Sequence, residues 1–220
     1  MPKSKSIVQS PVKTSAILQD AAGQTLWQSF RAGNSDAFAQ LLHLYYPMLL
    51  NYGVRLSPDR EFVKDCLHDL FLEFWNKKEK LSDIENLKSY LLLSFRRKLF
   101  RETRRLKWFR EANEVTEDYT MEVQFTIESY LINNEVQHEY LKKLKLNLEK
   151  LSKRQREVIY LRFYQEMEYD EISAIMEINY HSVVNLIYEA LKLLRKNWFL
   201  LLFLVSPYVL DFTTSFKQLF

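Results

Sequence analysis

The chain has 220 residues, enough for one domain of ordinary size or two small ones, and a formal net charge of +3. With three Gly, five Pro and no run of alternating β-branched residues bounded by turn signals, it reads as an all-α protein. The single cysteine, Cys66, excludes an intramolecular disulfide framework and supplies no metal cluster; its apolar helical surroundings make it a buried thiol.

Residues 1–23 are rich in Ser, Lys, Gln and Thr and read as a disordered arm. They hold no continuous apolar stretch, so they are not a secretory signal, and a cytoplasmic setting is expected. Leu26, Trp27 and Phe30 make a short first helix, with Gly33 as the residue that ends it. Ser35 and Asp36 start a second helix whose positions Phe38, Leu41, Leu42 and Tyr45 share a face. Pro47 lies inside that pattern and predicts a kink or a new helix. Ser57-Pro58 reads as an N-cap followed by a first-turn proline, opening a helix that runs to about Lys77. One side of this helix carries Val63, Cys66, Leu67, Leu70, Phe71, Phe74 and Trp75. The other shows Lys64, Asp65, His68, Asp69, Leu72 and Glu73, either a solvated surface or a protein-docking face of mixed acidic and apolar character.

After a polar loop, Asn86 can cap a helix from Leu87 to about Trp108, with Leu87, Leu91, Phe95 and Leu99 as its buried stripe. Arg97, Arg101, Arg104 and Arg105 form the outer face. Between Arg96 and Arg110 lie eight basic residues against one acid, Glu102, so the helix lacks compensating acids of its own and suits phosphate. Tyr90, Trp108 and Phe109 could stack on an unpaired base, core packing being the competing role for each. From Glu111 to Glu128 there are six acids and no base. Residues 111–130 therefore read as an acidic linker between a first helical domain, 24–110, and a second, 131–196.

The second domain closes on three consecutive helices. Ser152 with Gln155 has capping-box spacing and opens the first, with Val158, Ile159, Leu161 and Phe163 as its apolar side. Asp170 and Glu171 open a short second helix carrying Ile172, Ile175 and Met176. A tight break at Glu177-Ile178-Asn179 follows, and Asn179 caps a longer third helix with Val183, Ile187, Leu191 and Leu194 inward. Helix, short turn, helix is the arrangement that sets a second helix into a DNA major groove; an ordinary helical hairpin has the same periodicity.

Two such modules in this order resemble an extracytoplasmic-function sigma factor, the small promoter-recognition subunit of bacterial RNA polymerase. Ala37-Phe38 followed by Tyr45-Tyr46-Pro47 resembles the opening helix of that family. Asp65 through Trp75 resembles the segment that docks on core polymerase, which implies a polymerase contact through Asp65, His68, Asp69, Leu72 and Trp75. Asn86 through Leu91 and the arginine-rich helix resemble the part that reads and opens the minus-ten element. The residues implied there are Asn86, Lys88, Tyr90, Arg96, Arg97, Arg101, Arg104 and Arg105. Leu151 through Phe163 and Tyr169 through Met176 resemble the upstream-element module, with His181, Ser182, Val184, Asn185, Tyr188 and Lys192 facing DNA. The chain departs from the family where Glu177 replaces a common glycine, and where Val184, Leu186 and Glu189 occupy positions often basic or amide. Arg97 and Arg101 likewise stand where an Asn and an Asp are common.

The resemblance implies core RNA polymerase, promoter DNA and an anti-sigma factor as partners, with no cofactor. No Gly-rich phosphate loop, metal-ligand cluster or nucleophile–base pair is visible, and the four histidines (His43, His68, His138, His181) are scattered, so no enzyme is expected. Two other readings compete: a stand-alone helix-turn-helix regulator, and a helical interaction module that sequesters polymerase without reading DNA. Residues 197–220 form a hydrophobic tail. Its apolar run from Trp198 to Val205 is interrupted by Pro207 and too short to span a membrane, so it is expected to fold back on the second domain or bind a partner.

Overall fold

A computed structural model describes residues 22–111 and 148–196. The expected N-terminal arm up to Ala21, the acidic linker from Ala112, the segment leading to Leu148 and the hydrophobic tail lie outside the described residues. The chain divides into two compact units, Met1–Thr120 and Met121–Phe220, and the regular elements described in both are helical.

In the first unit, α1 (residues 22–31) ends at Gly33, whose φ of +95° is the left-handed conformation that glycine adopts without strain. Helix α2 (Ser35–Leu56) is capped by Asn34, one residue earlier than Ser35: its side-chain oxygen accepts from the amides of Asp36 at 2.9 Å and Ala37 at 3.0 Å. Pro47 does not break α2, which runs on to Leu56. Both Pro47 and His43, whose carbonyl loses its donor, are on the exposed side, where water can solvate that carbonyl. Ser57 is the C-cap of α2 rather than an N-cap, its amide bonded to Gly53 O at 2.9 Å. Pro58 favours extended backbone at the residue before it, and Ser57 is extended, which stops α2 there. Asp59 then caps α3 (Arg60–Lys77) by accepting from Phe62 N at 3.0 Å. A short 3-10 turn (Lys78–Lys80) and an irregular loop lead to α4 (Leu87–Glu111).

The core of this unit is built from the apolar stripes of its helices, although on α2 the expected Phe38 and Leu42 are half-buried and Leu49 and Tyr52, beyond the expected four, are buried. Leu87, Leu91, Phe95 and Leu99 of α4 are all at most 2% exposed. They meet Leu41, Tyr45, Leu49 and Tyr52 of α2 and Val63, Leu67, Leu70 and Phe71 of α3, with Trp27 and Phe30 of α1 closing one end. The three long helices pack against one another. At Gly53 they approach so closely that an added Cβ would lie 2.5 Å from Val63 Cγ1 and 2.7 Å from Phe95 Cε1.

The second unit follows the same logic with one irregular turn. Helix α5 (Lys153–Ile159) opens on a reciprocal box: Gln155 N donates to Ser152 Oγ at 3.3 Å and Ser152 N to Gln155 Oε1 at 2.9 Å. It continues as a π-helical turn, Tyr160–Tyr164. The wider turn shifts the register, and Phe163, expected inside, comes out 37% exposed. Helix α6 (Tyr169–Met176) is capped by Glu168 in a box with Glu171, and Ile172, Ile175 and Met176 are buried. Helix α7 (Tyr180–Lys196) is capped by Asn179, which accepts from Ser182 N at 2.7 Å. Val183, Ile187 and Leu194 point inward as expected, while Leu191 is half-buried and Ala190 takes the inner place. Between α6 and α7, Glu177 is left-handed with φ +55°, and Ser173 Oγ ties the turn by donating to Ile178 O at 2.6 Å.

Two substitutions of opposite sign check this account. Gly53→Ala should destabilise the chain by about 1–3 kcal/mol, because Val63 and Phe95 must move apart. Glu177→Gly should stabilise it by about 1 kcal/mol by removing the left-handed penalty of a residue with a Cβ. Urea denaturation of the full chain reads both; a Glu177→Gly midpoint at or below wild type would contradict the turn geometry.

Candidate protein and nucleic-acid interfaces

Spacing of three and four residues along α3 sets Asp65, His68, Asp69 and Leu72 on one strip, all exposed, with Leu72 at 59%. The His68 imidazole stacks on Tyr46 of α2, Nε2 and Oη lying 3.3 Å apart. Trp75 does not belong to this strip. Its ring packs 5.1 Å from Phe38 and 6.2 Å from Phe30, with the Lys78 ammonium 4.5 Å from its centroid, so it closes the edge of the core.

At the start of α4, Asn86 accepts from Ser89 N at 2.8 Å and is the helix cap. Lys88 is half-buried. Tyr90 is also half-buried, its ring stacked 5.8 Å from Phe74 and edge-on to Trp27 at 5.7 Å, so much of the aromatic surface offered to a base is already packed. Further on, Arg96 lies over Phe100 at 4.6 Å, and Arg97 and Arg104 are exposed.

The arginine-rich helix is not short of acids, because its neighbour supplies them. Lys98, 6% exposed, places its ammonium 2.6 Å from Glu73 and 3.3 Å from Asp69, both on α3, and 3.8 Å from Glu102 on its own helix. Arg101 lies 3.4 Å from Glu73 and 3.5 Å from Glu102, and Arg105 3.3 Å from Glu102. Counting acids within α4 alone misses two of the three carboxylates. The hydrogen bond from Lys98 holds the Glu73 carboxyl below the usual carboxylate range. Burial by itself would lower the Lys98 pKa, but the Glu73 and Asp69 carboxylates outweigh it and the ammonium is held above its ordinary value. Beneath them, burial pushes the Cys66 thiol up to about 11, the value of an inert buried sulfur.

In the second unit, α7 presents His181, Asn185, Tyr188 and Lys192 to solvent, while Ser182 and Val184 are half-buried. Lys192 lies 5.8 Å over Tyr188 and 3.8 Å from Glu189. An open cleft of about 330 Å³ runs between the start of α5 and α7, lined by Arg154, Gln155, Ile178, Ser182, Asn185, Leu186 and Glu189. Arg154 and Gln155 are additions that sequence reasoning missed. The available signal was the exposed side of the α5 capping turn, which only packing against α7 turns into a wall. At the ends of α6 and α7, Tyr169 carries the Arg162 guanidinium 5.0 Å over its ring and meets Tyr180 edge-on at 5.9 Å.

Among the described residues, no group of three or more His, Cys, Asp or Glu could hold a metal ion, and no helix is long and apolar enough to cross a membrane.

Lys98→Met should cost about 1–3 kcal/mol, because Glu73 and Glu102 lose their buried cation and keep only the exposed arginines Arg101 and Arg105. The variant should also lose part of its acid dependence. The depressed Glu73 carboxyl stabilises the fold above the ordinary carboxylate range, and that contribution vanishes as pH falls through its folded pKa. Urea midpoints between pH 3 and 7 should thus vary less in the variant; parallel curves would show that Lys98 does not set the Glu73 titration.

Residues 142–194 match the family described as Sigma-70, region 4. No curated protein matches the chain. Among solved structures, a chain of the sigma factor RpoE in complex with the anti-sigma factor NepR from Bartonella quintana superposes with a TM-score of 0.55 at 21% identity, over 73% of this chain and 95% of that one. A chain of CnrH in complex with the cytosolic domain of CnrY gives 0.51 at 19%, over 80% and 96%. The chain shares its fold with these chains, and residues 142–194 match the region-4 model.

Proposed function

We propose that this protein is a sigma factor of the extracytoplasmic-function type, acting in the cytoplasm: it binds core RNA polymerase, directs it to promoters and catalyses no reaction of its own. The observation that carries the reading is the region-4 match, which falls on the helices that expose Asn185, Tyr188 and Lys192 beside a cleft walled by Arg154. The α3 strip of Asp65, His68, Asp69 and Leu72 docks on polymerase; its exposed apolar residue flanked by acids is what a protein partner requires and a stand-alone regulator does not. Arg97, Arg101, Arg104 and Arg105 neutralise phosphates and position the duplex, which fixes register without reading sequence. Helix α6, the turn and α7 act as a helix-turn-helix in which His181, Ser182, Asn185 and Tyr188 reach base edges of the upstream element. Strand capture occurs at the start of α4, where Asn86, Lys88 and the outer edge of Tyr90 meet unstacked bases. An anti-sigma protein fits the same reading, because one similar chain comes from a complex with such a partner.

One observation favours a second reading, a module that sequesters polymerase without reading DNA. The exposed cation of α7 closest to its base-reading residues, Lys192, is shared with Tyr188 and Glu189, so this helix brings little net positive charge to a groove.

Transcription of genomic fragments with core polymerase from the source organism separates the two. The sigma-factor reading expects new start sites that depend on the added protein. Normal polymerase binding without any start site would replace it with the sequestration reading. Within the first reading, the double variant Arg97→Ala/Arg101→Ala should weaken promoter binding more than Asn185→Ala. It should also make the slope of log affinity against log salt shallower by about 1–2, as loss of up to two phosphate contacts requires. A steeper loss from Asn185→Ala in filter binding would put the main affinity in α7 instead.

A further inference from the structure

The irregular loop before α4 is tied from outside by α1. On α1, Gln24, Trp27 and Arg31 recur at three- and four-residue spacing and so share one face. All three reach the loop. Gln24 Nε2 donates to Glu85 O, Trp27 Nε1 donates to Ser82 O at 3.3 Å, and the Arg31 guanidinium pairs with the Asp83 carboxylate. These contacts span more than 50 residues of sequence, from |i−j| of 52 to 61. Trp27 has a second partner beyond the loop: its ring lies edge-on to Tyr90 at 5.7 Å, on the first turn of α4. The loop ends at Asn86, whose side chain caps that turn.

An irregular segment without such ties samples many backbone states, and each tie removes some of that freedom. Here the tied segment is the one that sets where Asn86, Lys88 and Tyr90 stand. Loop charge matters as well. Asp83 is an exposed carboxylate beside the end of α4 at which the strand would lie, and Arg31 neutralises it. We infer that Gln24, Trp27 and Arg31 are positioning residues for strand opening: α1 is a strap that holds loop 82–85 and the first turn of α4 ready to receive an unstacked base. The inference rests on the sigma-factor reading above, and it adds that the N-terminal helix is part of the opening machinery and not only a lid on the core. Capturing a flipped or unstacked base requires a site in place before the base arrives, because the unstacking cost has to be offset at once by contacts.

The strap is tested on two templates. One is a duplex promoter found by transcribing genomic fragments; the other is the same promoter with a mismatched, already open minus-ten segment. The full-length double variant Gln24→Ala/Arg31→Met removes two ties and leaves Trp27 and the core intact. Its transcription from the duplex should fall about tenfold, the factor that one net hydrogen bond supplies. On the open template it should match wild type, with unchanged polymerase binding, and Arg31→Lys should restore most of the duplex activity by keeping the ion pair. Gln24→Ala alone, whose bond is exposed, should show a smaller loss of the same pattern if the double variant folds poorly. Equal loss on both templates would reduce α1 to a stability element and overturn the inference, as would no loss on either. A wild-type chain inactive on every genomic fragment would overturn the sigma-factor reading, and this inference with it; an active wild type with unaffected variants would overturn the inference alone.

Discussion

The packing of α4 on α3 turns on the buried cation of Lys98. Lys98 sits on α4 only 6% exposed, which an ammonium tolerates only where carboxylates meet it. Asp69 and Glu73 arrive from α3 and Glu102 from the next turn of α4. The stem of Lys98 packs as a hydrophobic side chain while its head ties two helices together. Their relative register is thereby fixed polar group by polar group, on top of the close packing that Gly53 permits. The pairing also has a sign. Because Glu73 is depressed and Lys98 raised, the contribution is full at neutral pH, and it is lost toward acid as Glu73 protonates and toward strong alkali as Lys98 deprotonates.

That tie joins the two surfaces to which the proposed function assigns separate jobs. Asp69 is part of the exposed strip on α3, and Arg101 is part of the basic face of α4, yet both belong to one network through Lys98 and Glu73. A partner that draws Asp69 away leaves Lys98 more dependent on Glu73, and a phosphate that draws Arg101 away releases Glu73 to Lys98. Exposed pairs such as Arg101–Glu73 contribute little and are screened by salt, so a phosphate can displace them. The buried Lys98 contacts persist. The network thus keeps the helix register while leaving its outer arginines available.

Much of this was legible in the sequence, and what was not has physical causes. The stripes of α2, α3 and α4 came from spacing alone, because one face of each helix must be apolar to be buried. Caps were legible where chemistry is local, as at Asn86, Ser152 and Asn179. One shifted where neighbours compete: Asp59, not Ser57, caps α3. Pro47 does not open a new helix, because the cost of a helix proline depends on whether water reaches the orphaned carbonyl, and sequence does not show that. Phe163 misled because a π turn moves the register by a residue. At the candidate interfaces, the spacing of Asp65, His68, Asp69 and Leu72 was enough to place them on one face. Trp75 was read on the apolar side of its helix and Tyr90 with core packing as a competing role, the contact roles coming from the resemblance alone, and the structure packs both against Phe30, Phe38, Phe74 and Trp27. The α3 acid that answers Lys98 and Arg101 was invisible for a simpler reason: Glu73 lies on another helix, 25 residues from the first and 28 from the second.

The second unit shows how a departure from a family pattern can be absorbed without loss of fold. The turn between α6 and α7 needs a left-handed residue, and Glu177 supplies it at a cost of about 1 kcal/mol that a glycine would avoid. The turn still closes, because Ile178 N bonds to Ser173 O at 3.2 Å and Ser173 Oγ returns to Ile178 O. Ser173 therefore offsets in hydrogen bonds part of what Glu177 costs in backbone strain. The consequence reaches the cleft, since Ile178 is one of its walls and Asn179, the next residue, caps the helix that forms another. A tighter or looser turn would rotate Ser182, Asn185 and Glu189 relative to Arg154. The position of the candidate base-reading face is thus set in the turn just upstream of α7, which Ser173 of α6 ties through Ile178.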